Sequence, residues 1–522
     1  MRITKMYKLA GTISGEVGLY EFDFIVTGDV RRNEYVKVWN SSDGWILGRV
    51  VSMVDVEEKT ATVEIIGYKN ERGFLMQPKV TFSRDEKVFK ADHTFIMDTL
   101  GLGFKSKSSG IHLGMLDGHN IPVYLKKEEL IQKHCCILAK TGSGKSYTAG
   151  VLIEELLEKN VPLLIIDPHG EYLSLRYENK SEDERKQMER FGITPRGYAS
   201  KVVVYTPSNF SVNPAADKLF RIDGINLSVN ELSDFFTLSD AQLGILYQCI
   251  NEIKARKEFY TIEEIISGLA ESKSTAKWRI IQFLERIRET GILSDSPTQI
   301  EELVKPGRAS IIDMKGASPK LQQLIVYRLC KEVFEGRKMG KIPPFMLVIE
   351  EAHNFCPERG FGEAVSSNIL RTIASEGRKF GLGLLVISQR PARVDKNVIS
   401  QCNTQIILKV TNHNDIKALS KGLEFMSSEM IEEIKRIPLG VALLSSPSIA
   451  MPIMIDVRVK RSEHGGRAAE ASDSAGAGGG GGGDRGKEEV SKPAGDGGNA
   501  EDGDEGEEKA EGRSMLSRLL SD

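Results

Sequence analysis

The sequence has few cysteines for its length and no long apolar run. Its 522 residues include six cysteines, of which Cys135 and Cys136 are adjacent and the others are scattered. This spacing fits neither a disulfide framework nor a zinc site, so we expect a reducing cytosol. No apolar stretch approaches the roughly 18 residues of a membrane span, and the N-terminus lacks the continuous apolar block of a signal peptide. The sequence therefore predicts a cytoplasmic protein.

The chain also lacks a strong excess of either charge. Residues 463–522 contain 15 acidic and 7 basic residues, a net charge of −8, so with −3 for the whole chain the first 462 residues carry +5. Such a small positive excess is only a weak indication of a polyanionic partner. The last segment is rich in Gly, Ala and acidic residues and cannot bury enough apolar surface to offset the entropy of ordering. We predict a disordered acidic tail over residues 463–522.

The segments that are present indicate several domains. Short β-rich segments separated by turn residues predict a small β-barrel over residues 1–100. From residue 101 onward, apolar strands alternate with helices, which predicts an α/β fold with a mostly parallel sheet. Helical periodicity over residues 225–303 predicts a helical insertion. The α/β core is therefore expected in two parts, residues 101–224 and 304–462.

The most specific motif is a glycine-rich loop between a predicted strand, 135–139, and a predicted helix, 146–159. Residues 139–146 read A-K-T-G-S-G-K-S. They match the phosphate-binding P-loop except that Ala139 replaces the first glycine. Because a strand precedes the loop and a helix follows it, the motif predicts an ATPase.

The residue types of this loop suit a nucleotide phosphate chain. Gly142 and Gly144 allow backbone N–H groups to point at phosphate oxygens, and the helix that follows adds the partial positive charge of its N-terminus. Lys145 would reach the β- and γ-phosphates, and Ser146 would hold Mg²⁺. We therefore expect ATP and Mg²⁺ as the cofactors.

A second motif is an apolar strand, 345–349, that ends in Glu350 and Glu351. Glu350 would support the metal shell, and Glu351 would orient the attacking water. A glutamate at the metal-supporting position departs from the usual aspartate. By itself the pair is explained equally well as an acidic helix N-terminus. The P-loop favours the catalytic interpretation.

Further polar residues flank other predicted strands. Asp167 and Glu171 follow one strand end, where they would contact the water or the metal, or only form a turn. Gln389 directly follows the predicted strand 384–388 and would sense the γ-phosphate. Arg378 precedes that strand, at its amino end. It is a candidate arginine finger for a neighbouring subunit or part of a solvated basic face.

Together these motifs resemble the archaeal HerA DNA helicases of the HerA/FtsK class of hexameric pumps. The matching pieces occur in the family's order over about residues 1–461. Ala139 and Glu350, unusual for a general P-loop protein, are ordinary in this family, whereas Lys133 stands where the family tends to have Arg. The pieces are the barrel-like start, K-H before I-L-A-K-T-G-S-G-K-S, D-P-H-G-E-Y, I-E-E-A-H-N-F, E-G-R-K-F-G and V-I-S-Q-R-P.

The resemblance implies a RecA-like ATPase core with a HAS-barrel-like N-terminal domain, assembled as a homohexameric ring around DNA with ATP between subunits. It also implies a NurA-type nuclease partner, docked on the barrel, and DNA-end resection beside the Mre11-Rad50 double-strand-break machinery. The implied catalytic residues are Lys145, Glu350, Glu351 and Gln389, with Arg378 from a neighbour. The implied nucleotide contacts are Lys133, Thr141, Gly142, Ser143, Gly144, Lys145, Ser146, Tyr147, Ala450 and Met451, with Ser146 and Glu350 on Mg²⁺.

Two alternatives stay open. A conjugation- or partition-type DNA pump would usually carry membrane helices or a winged-helix DNA reader, and the sequence has neither. A non-motor scaffold would use ATP only to assemble, and the presence of Glu351 and Arg378 argues against it. An assay of ATP turnover with and without DNA separates a motor from a scaffold.

Overall fold

The computed structural model describes residues 8–103, 110–235, 238–422 and 428–465. The predicted acidic tail lies outside these ranges from residue 466 onward. In the part of the chain that is described, no helix is long and apolar enough to cross a membrane. All six cysteines are free and buried, as the sequence predicts for a chain without a disulfide framework.

The N-terminal strands close into a barrel. The strands are β1 (Leu9–Val17), β2 (Glu21–Val26), β3 (Tyr35–Asn40), β4 (Gly44–Asp55), β5 (Lys59–Lys69), β6 (Leu75–Met76) and β7 (Lys87–Lys90). Among the described residues the order is β2-β1-β7-β3-β4-β5, and antiparallel pairing of β2 with β5 completes a six-stranded ring. Inward-facing apolar side chains fill it, among them Ile13, Phe24, Val36, Val50 and Val63. The predicted barrel is thereby confirmed.

The barrel packs against the rest of the fold through apolar and charged contacts. Tyr35, Leu47 and Ile66 belong to the same buried apolar cluster as side chains of the main sheet. Arg32 of the barrel donates a hydrogen bond to Glu433 at 2.9 Å. Removing the barrel would therefore expose apolar surface of the core.

One mixed sheet forms the centre of the remaining chain. The strands after the barrel are β8 (Gly110–Leu116), β9 (Pro122–Lys126), β10 (Cys135–Leu138), β11 (Leu163–Asp167), β12 (Val202–Thr206), β13 (Lys218–Leu219), β14 (Ile222–Asp223), β15 (Leu293–Ser294), β16 (Ala309–Asp313), β17 (Phe345–Ile349), β18 (Leu382–Ser388), β19 (Thr404–Ile407), β20 (Val441–Ser445) and β21 (Ile453–Val457). Among the residues that the structure describes, strands β14 and β15 pair only with each other, and the others form the mixed sheet. Within the described ranges the order is β13-β12-β16-β11-β17-β18-β10-β19-β20-β21-β8-β9. Neighbours from β13 to β19 are parallel, and the pairs beyond β19 are antiparallel.

Helices pack on both faces of this sheet. They are α1 (His93–Leu100), α2 (Lys127–Lys133), α3 (Lys145–Glu158), α4 (Arg185–Phe191), α5 (Val229–Phe235), α6 (Asp240–Lys254), α7 (Ile262–Glu271), α8 (Lys277–Thr290), α9 (Ile300–Leu303), α10 (Pro319–Lys338), α11 (Ser367–Glu376), α12 (Lys396–Ile399), α13 (His413–Gly422) and α14 (Ser428–Arg436). Alternate residues of the strands pack in two apolar clusters: Ile165 lies in the cluster with α3, and Ile166 in the cluster with α10. Because both faces are buried, the parallel strands are continuous apolar runs.

Five helices of the described residues, α5 to α9, lie between β12 and β16, where the periodicity predicts an insertion. Helix α6 begins with a capping box in which the side chains of Ser239 and Gln242 each satisfy a backbone N–H group of the other residue. Ile265, Leu269 and Leu284 are buried in the apolar cluster that continues into the main sheet. The helices therefore share one core with the α/β part.

Candidate active site

Parallel pairing brings the carboxyl ends of β10, β11, β17 and β18 to one edge of the sheet, called here the carboxyl edge. Leu138 of β10 lies beside Ser388 of β18, and Ile166 of β11 lies beside Ile349 of β17. The P-loop, the turn 167–172, the two adjacent glutamates and Gln389 each follow one of these strand ends. Open α/β sheets bind their ligands at this edge.

The P-loop joins β10 to α3 through two residues in the left-handed region. Gly142 and Gly144 have φ values of 77° and 92°, where a residue with a Cβ is strained. Ser143 Oγ donates a hydrogen bond to the carbonyl of Lys140 at 2.6 Å. Ala139 has no left-handed φ and is fully buried. An alanine therefore fits at the position where other P-loops have glycine.

Lys145, the first residue of α3, is buried between the two glutamates. Its Nζ donates to Glu350 Oε1 and, at 2.9 Å, to Glu351 Oε1. Burial lowers the pKa of Lys145, but the two carboxylates outweigh it, so the pKa is raised and the amine stays charged. Burial raises the pKa of Glu350 to about 7, although Lys145 and Tyr172 lower it. The site thus holds a cation and two carboxylates together in a buried place, where electrostatic interactions are strong.

Tyr172 is a site residue to which the sequence analysis gave no role. Its hydroxyl donates to Glu350 Oε2 at 2.5 Å, and its side chain is buried. The turn 167–172 holds Tyr172 in place because the Asp167 carboxylate accepts hydrogen bonds from three backbone N–H groups of that turn. Asp167 therefore serves the turn, which is one of the alternatives left open above. The sequence signal that could have identified Tyr172 is its position as the last residue of the D-P-H-G-E-Y motif.

Glu351 combines an unusual backbone with an unsatisfied oxygen. Its φ of 51° and ψ of 47° are left-handed, a conformation uncommon outside glycine. Oε2 is buried and accepts no hydrogen bond from the described residues. His353 Nδ1 lies 3.2 Å from this oxygen but is hydrogen-bonded to Ser388 Oγ at 3.1 Å. Because a buried acceptor normally has a partner, Oε2 is suited to accept a proton or a hydrogen bond from a water molecule.

The remaining P-loop residues differ in where their side chains lie. The Thr141 hydroxyl donates to Gln389 Oε1, which ties β18 to the loop. Ser146 is half-buried in the first turn of α3. Tyr147 instead faces the C-terminal segment, where its hydroxyl accepts the N–H of Lys460 at 2.9 Å. Its hydroxyl is therefore committed within the chain.

Lys133 and Arg378 lie at the opposite edge of the sheet. Lys133 ends α2 just before β10, and Arg378 is exposed in a turn just before β18. The seven residues of β18 separate its ends by about 20 Å, at roughly 3.3 Å per residue. Neither cation can reach phosphates held by its own P-loop.

Ala450 and Met451, which the resemblance implies as nucleotide contacts, also lie away from the P-loop of their own chain. Both lie in the turn between β20 and β21. Strand β20 is antiparallel to β19, with Ser445 opposite Gln405, so this turn lies at the amino end of the parallel strands. The Ala450 N–H accordingly donates to the carbonyl of Leu100 at 3.0 Å. The two residues are at the wrong edge to contact a nucleotide in their own P-loop.

Leu439 is a second residue that the sequence did not single out. It is 75% exposed, and a Cβ built on Gly144 would lie 3.6 Å from its Cδ1. The structure therefore places an exposed apolar side chain beside the phosphate loop. The segment has no periodicity or motif that indicates this position.

Comparisons with known proteins agree with these motifs. A family model described as "Helicase HerA, central domain" matches residues 111–333. The chain is 25% identical to the DNA double-strand break repair helicase HerA of Pyrococcus furiosus, over 87% of this chain and 92% of that protein. It is 26% identical to a probable DNA double-strand break repair helicase HerA of Methanocaldococcus jannaschii, over 87% and 96%.

Among solved structures, VirB4 of Thermoanaerobacter pseudethanolicus aligns with a TM-score of 0.48 at 17% identity, covering 68% of this chain and 97% of that one. The plasmid coupling protein TrwB in complex with ADP and Mg²⁺ aligns with a TM-score of 0.46 at 14% identity, covering 70% and 92%.

Proposed function

The chain belongs to the HerA-type helicases, and from this premise we propose that it is a ring-forming motor that uses ATP hydrolysis to move along DNA. The observation that carries the proposal is the buried group of Lys145, Glu350 and Glu351 at the carboxyl edge. In this proposal Lys145 binds the β- and γ-phosphates, and Glu351 orients the attacking water; the support for Glu351 is its buried Oε2, which has no hydrogen-bond partner among the described residues. Gln389 would sense the γ-phosphate, and its hydrogen bond to Thr141 of the P-loop supports this role.

The donor set at this edge fits Mg²⁺. The Ser146 hydroxyl and the Glu350 carboxylate are hard oxygen ligands, and Mg²⁺ is usually held by one or two carboxylates plus substrate phosphates. When bound, Mg²⁺ would neutralise charge on the β- and γ-phosphates. The role of Tyr172 is to orient the Glu350 carboxylate through the hydrogen bond to Oε2.

The two edges of the sheet support a ring with ATP between subunits. The phosphate-binding groups lie at one edge, and Lys133, Arg378, Ala450 and Met451 lie at the other. A head-to-tail interface joins two different surfaces and forms a ring when the rotation between successive subunits closes. In such a ring the residues at the edge opposite the P-loop would face the nucleotide of a neighbouring subunit, with Arg378 as the arginine finger. We propose six subunits, as in the HerA/FtsK class.

We place this motor in DNA-end resection during double-strand-break repair. The support is that one relative is named a DNA double-strand break repair helicase and another a probable one. The proposed partners are a NurA-type nuclease, bound to the barrel, and the Mre11-Rad50 machinery. The barrel suits a docking role because the described residues 8–90 contain none of the phosphate-binding residues.

A strand-displacement assay with the full-length chain tests the motor function. ATP turnover should rise when DNA is added, and a triplex-forming oligonucleotide should be released from duplex DNA only when ATP is hydrolysed. Lys145→Ala should do neither, because the charge facing the phosphates is lost. Nucleotide binding without turnover would instead indicate an assembly scaffold. DNA-independent turnover without displacement would also contradict the proposal.

A further inference from the structure

A groove between α8 and the start of α10 combines cationic rims with an apolar floor. The cavity has a volume of about 480 Å³. Arg279 and Arg286 on α8 and Lys320 on α10 line it, and its floor includes Ile287 and Leu324. No aspartate or glutamate is among the described residues that line it. We call it the α8–α10 groove.

The three cations of this groove have no anionic partner in the described part of the chain. All three side chains are exposed, and none forms an ion pair. Some other cations of the insertion and α10 are paired: Lys257 contacts Glu264, and Arg328 contacts Glu231. Others, such as Lys254 and Lys273, are exposed and form no ion pair among the described residues, but they do not line this cavity. Three unpaired cations around one cavity form a focused positive field that favours a polyanion.

The spacing of the arginines suits a chain of phosphates. Arg279 and Arg286 lie seven residues apart on one face of α8, which places them about 10 Å apart along the helix axis. This length corresponds to about three nucleotides at the 3.4 Å rise of one DNA strand. Gln282 lies between the arginines and can donate a hydrogen bond to phosphate or sugar.

The groove also lies at the carboxyl edge of the sheet, as the nucleotide site does. Helix α10 begins six residues after β16, whose Asp313 is in register with Asp167 of β11. Four strand spacings separate β16 from β10 in the sheet order, about 19 Å at roughly 4.8 Å each. A DNA strand in the groove would therefore contact the element that directly follows a strand of the ATPase sheet.

We propose that the α8–α10 groove binds the phosphate backbone of DNA through Arg279, Arg286 and Lys320. This rests on the proposed function and adds to it the surface that holds the track. Because the contacts are to the backbone, binding through the groove is independent of sequence and sensitive to salt.

The first test compares two triple variants of the full-length chain. The groove variant is Arg279→Gln, Arg286→Gln and Lys320→Gln. The matched control, Lys254→Gln, Arg256→Gln and Lys273→Gln, removes the same charge from exposed positions of the insertion. DNA affinity is measured by fluorescence anisotropy at several salt concentrations. The groove variant should bind at least about tenfold more weakly, with a log–log salt slope lower by about 2–3, because each lost phosphate contact lowers it by about 0.7–0.9.

A second test does not depend on loss of affinity. Because the six native cysteines are buried, the exposed Gln282→Cys side chain can be labelled selectively with a photoactivatable maleimide. DNA should crosslink at position 282 but not at a Lys254→Cys control. If wild-type protein binds DNA while the groove variant matches the control and position 282 does not crosslink, the groove proposal fails and the motor proposal stands. If wild-type protein neither binds DNA nor responds to it, the proposed function fails.

Discussion

At the scale of single residues, Glu350 and Glu351 are adjacent in the chain but have different partners. Glu350 receives hydrogen bonds on both oxygens, from Lys145 and Tyr172. Glu351 receives one from Lys145 and keeps Oε2 free of hydrogen bonds among the described residues. Glu350, with both oxygens hydrogen-bonded, is fixed in orientation, which suits a metal ligand. Glu351 has one oxygen without a hydrogen bond, which suits a group that orients water.

Replacing each glutamate by glutamine separates the two roles. Glu351→Gln should bind ATP but hydrolyse it about 10²–10⁴-fold more slowly, because an amide cannot accept a proton from water. Glu350→Gln should mainly raise the Mg²⁺ concentration needed for activity. ATP binding and Mg²⁺ titrations of turnover check both. Normal hydrolysis by Glu351→Gln, with loss in Glu350→Gln, would reverse the assignment.

Tyr172→Phe tests the hydrogen bond to Glu350. Since that hydrogen bond lowers the pKa of Glu350 against the effect of burial, its loss should raise the pKa further. Glu350 must be ionised to hold Mg²⁺, so activity at limiting Mg²⁺ should rise with pH, and this rise should shift to higher pH in the variant. The Mg²⁺ requirement should increase about 10- to 100-fold, because a hydrogen bond to a charged group contributes about 1.5–3 kcal/mol. An unchanged pH profile and Mg²⁺ requirement would show that Tyr172 only fills space.

At the scale of elements, a short segment fastens the end of the described chain to the P-loop helix. We call residues 458–462 the C-terminal strap. Arg458 is fully buried and donates to Glu154 and Glu155 of α3 at 3.1 and 3.0 Å. Ser462 donates to Glu154 through its N–H and its hydroxyl, at 2.8 and 2.7 Å. Removing one partner of such a buried group leaves an uncompensated charge.

We expect the strap to be needed for stability and residues 466–522 to be dispensable for ATP turnover. Deleting residues 466–522 should leave ATP turnover with DNA largely unchanged, and at low salt it should tighten DNA binding, because the deleted segment is acidic. Arg458→Ala should destabilise the fold by about 3–5 kcal/mol. Turnover assays and denaturant unfolding check the two variants. A well-folded deletion variant without ATPase activity would contradict this division.

The barrel is the second element with a testable role. Because its removal would expose core residues, point substitutions are better than truncation. Val54 and Val56, near the β4–β5 turn, are 55% and 83% exposed. Val54→Ser with Val56→Ser should weaken nuclease binding and leave ATP turnover unchanged, whereas the exposed Val212→Ser on the α/β core should change neither. Full nuclease affinity in the barrel variant would show that the nuclease does not dock at this turn.

The sequence predicts where strands and helices lie along the chain better than it predicts in which direction each strand runs in the sheet. The strand and helix around the P-loop are found within one residue, because an apolar run and glycines in a fixed pattern dictate them locally. The position of Ala450 and Met451 was not predictable, since it depends on β20 running antiparallel to β19. The position of Leu439 beside the P-loop likewise depends on long-range packing. The roles of Glu350 and Glu351 stay predictions that rest on their contacts.

At the scale of the whole molecule, we propose that each ATP site is built by two subunits. Lys145 and Glu351 lie at the carboxyl edge, and Arg378 lies at the opposite edge and exposed. An arginine finger contributes on the order of 10³–10⁵ in rate, whereas a surface ion pair contributes at most about 1 kcal/mol to stability. Arginine also suits this task because its planar fork can hold two phosphate oxygens.

The most direct measurement is ATP turnover by rings mixed from Arg378→Ala and Lys145→Ala subunits. Each variant alone should be inactive, because every site lacks either the finger or the P-loop lysine. Mixed rings should recover part of the activity, since an intact P-loop can then face an intact finger. Full activity of homogeneous Arg378→Ala rings, or no recovery in rings shown to contain both subunits, would contradict the shared ATP site.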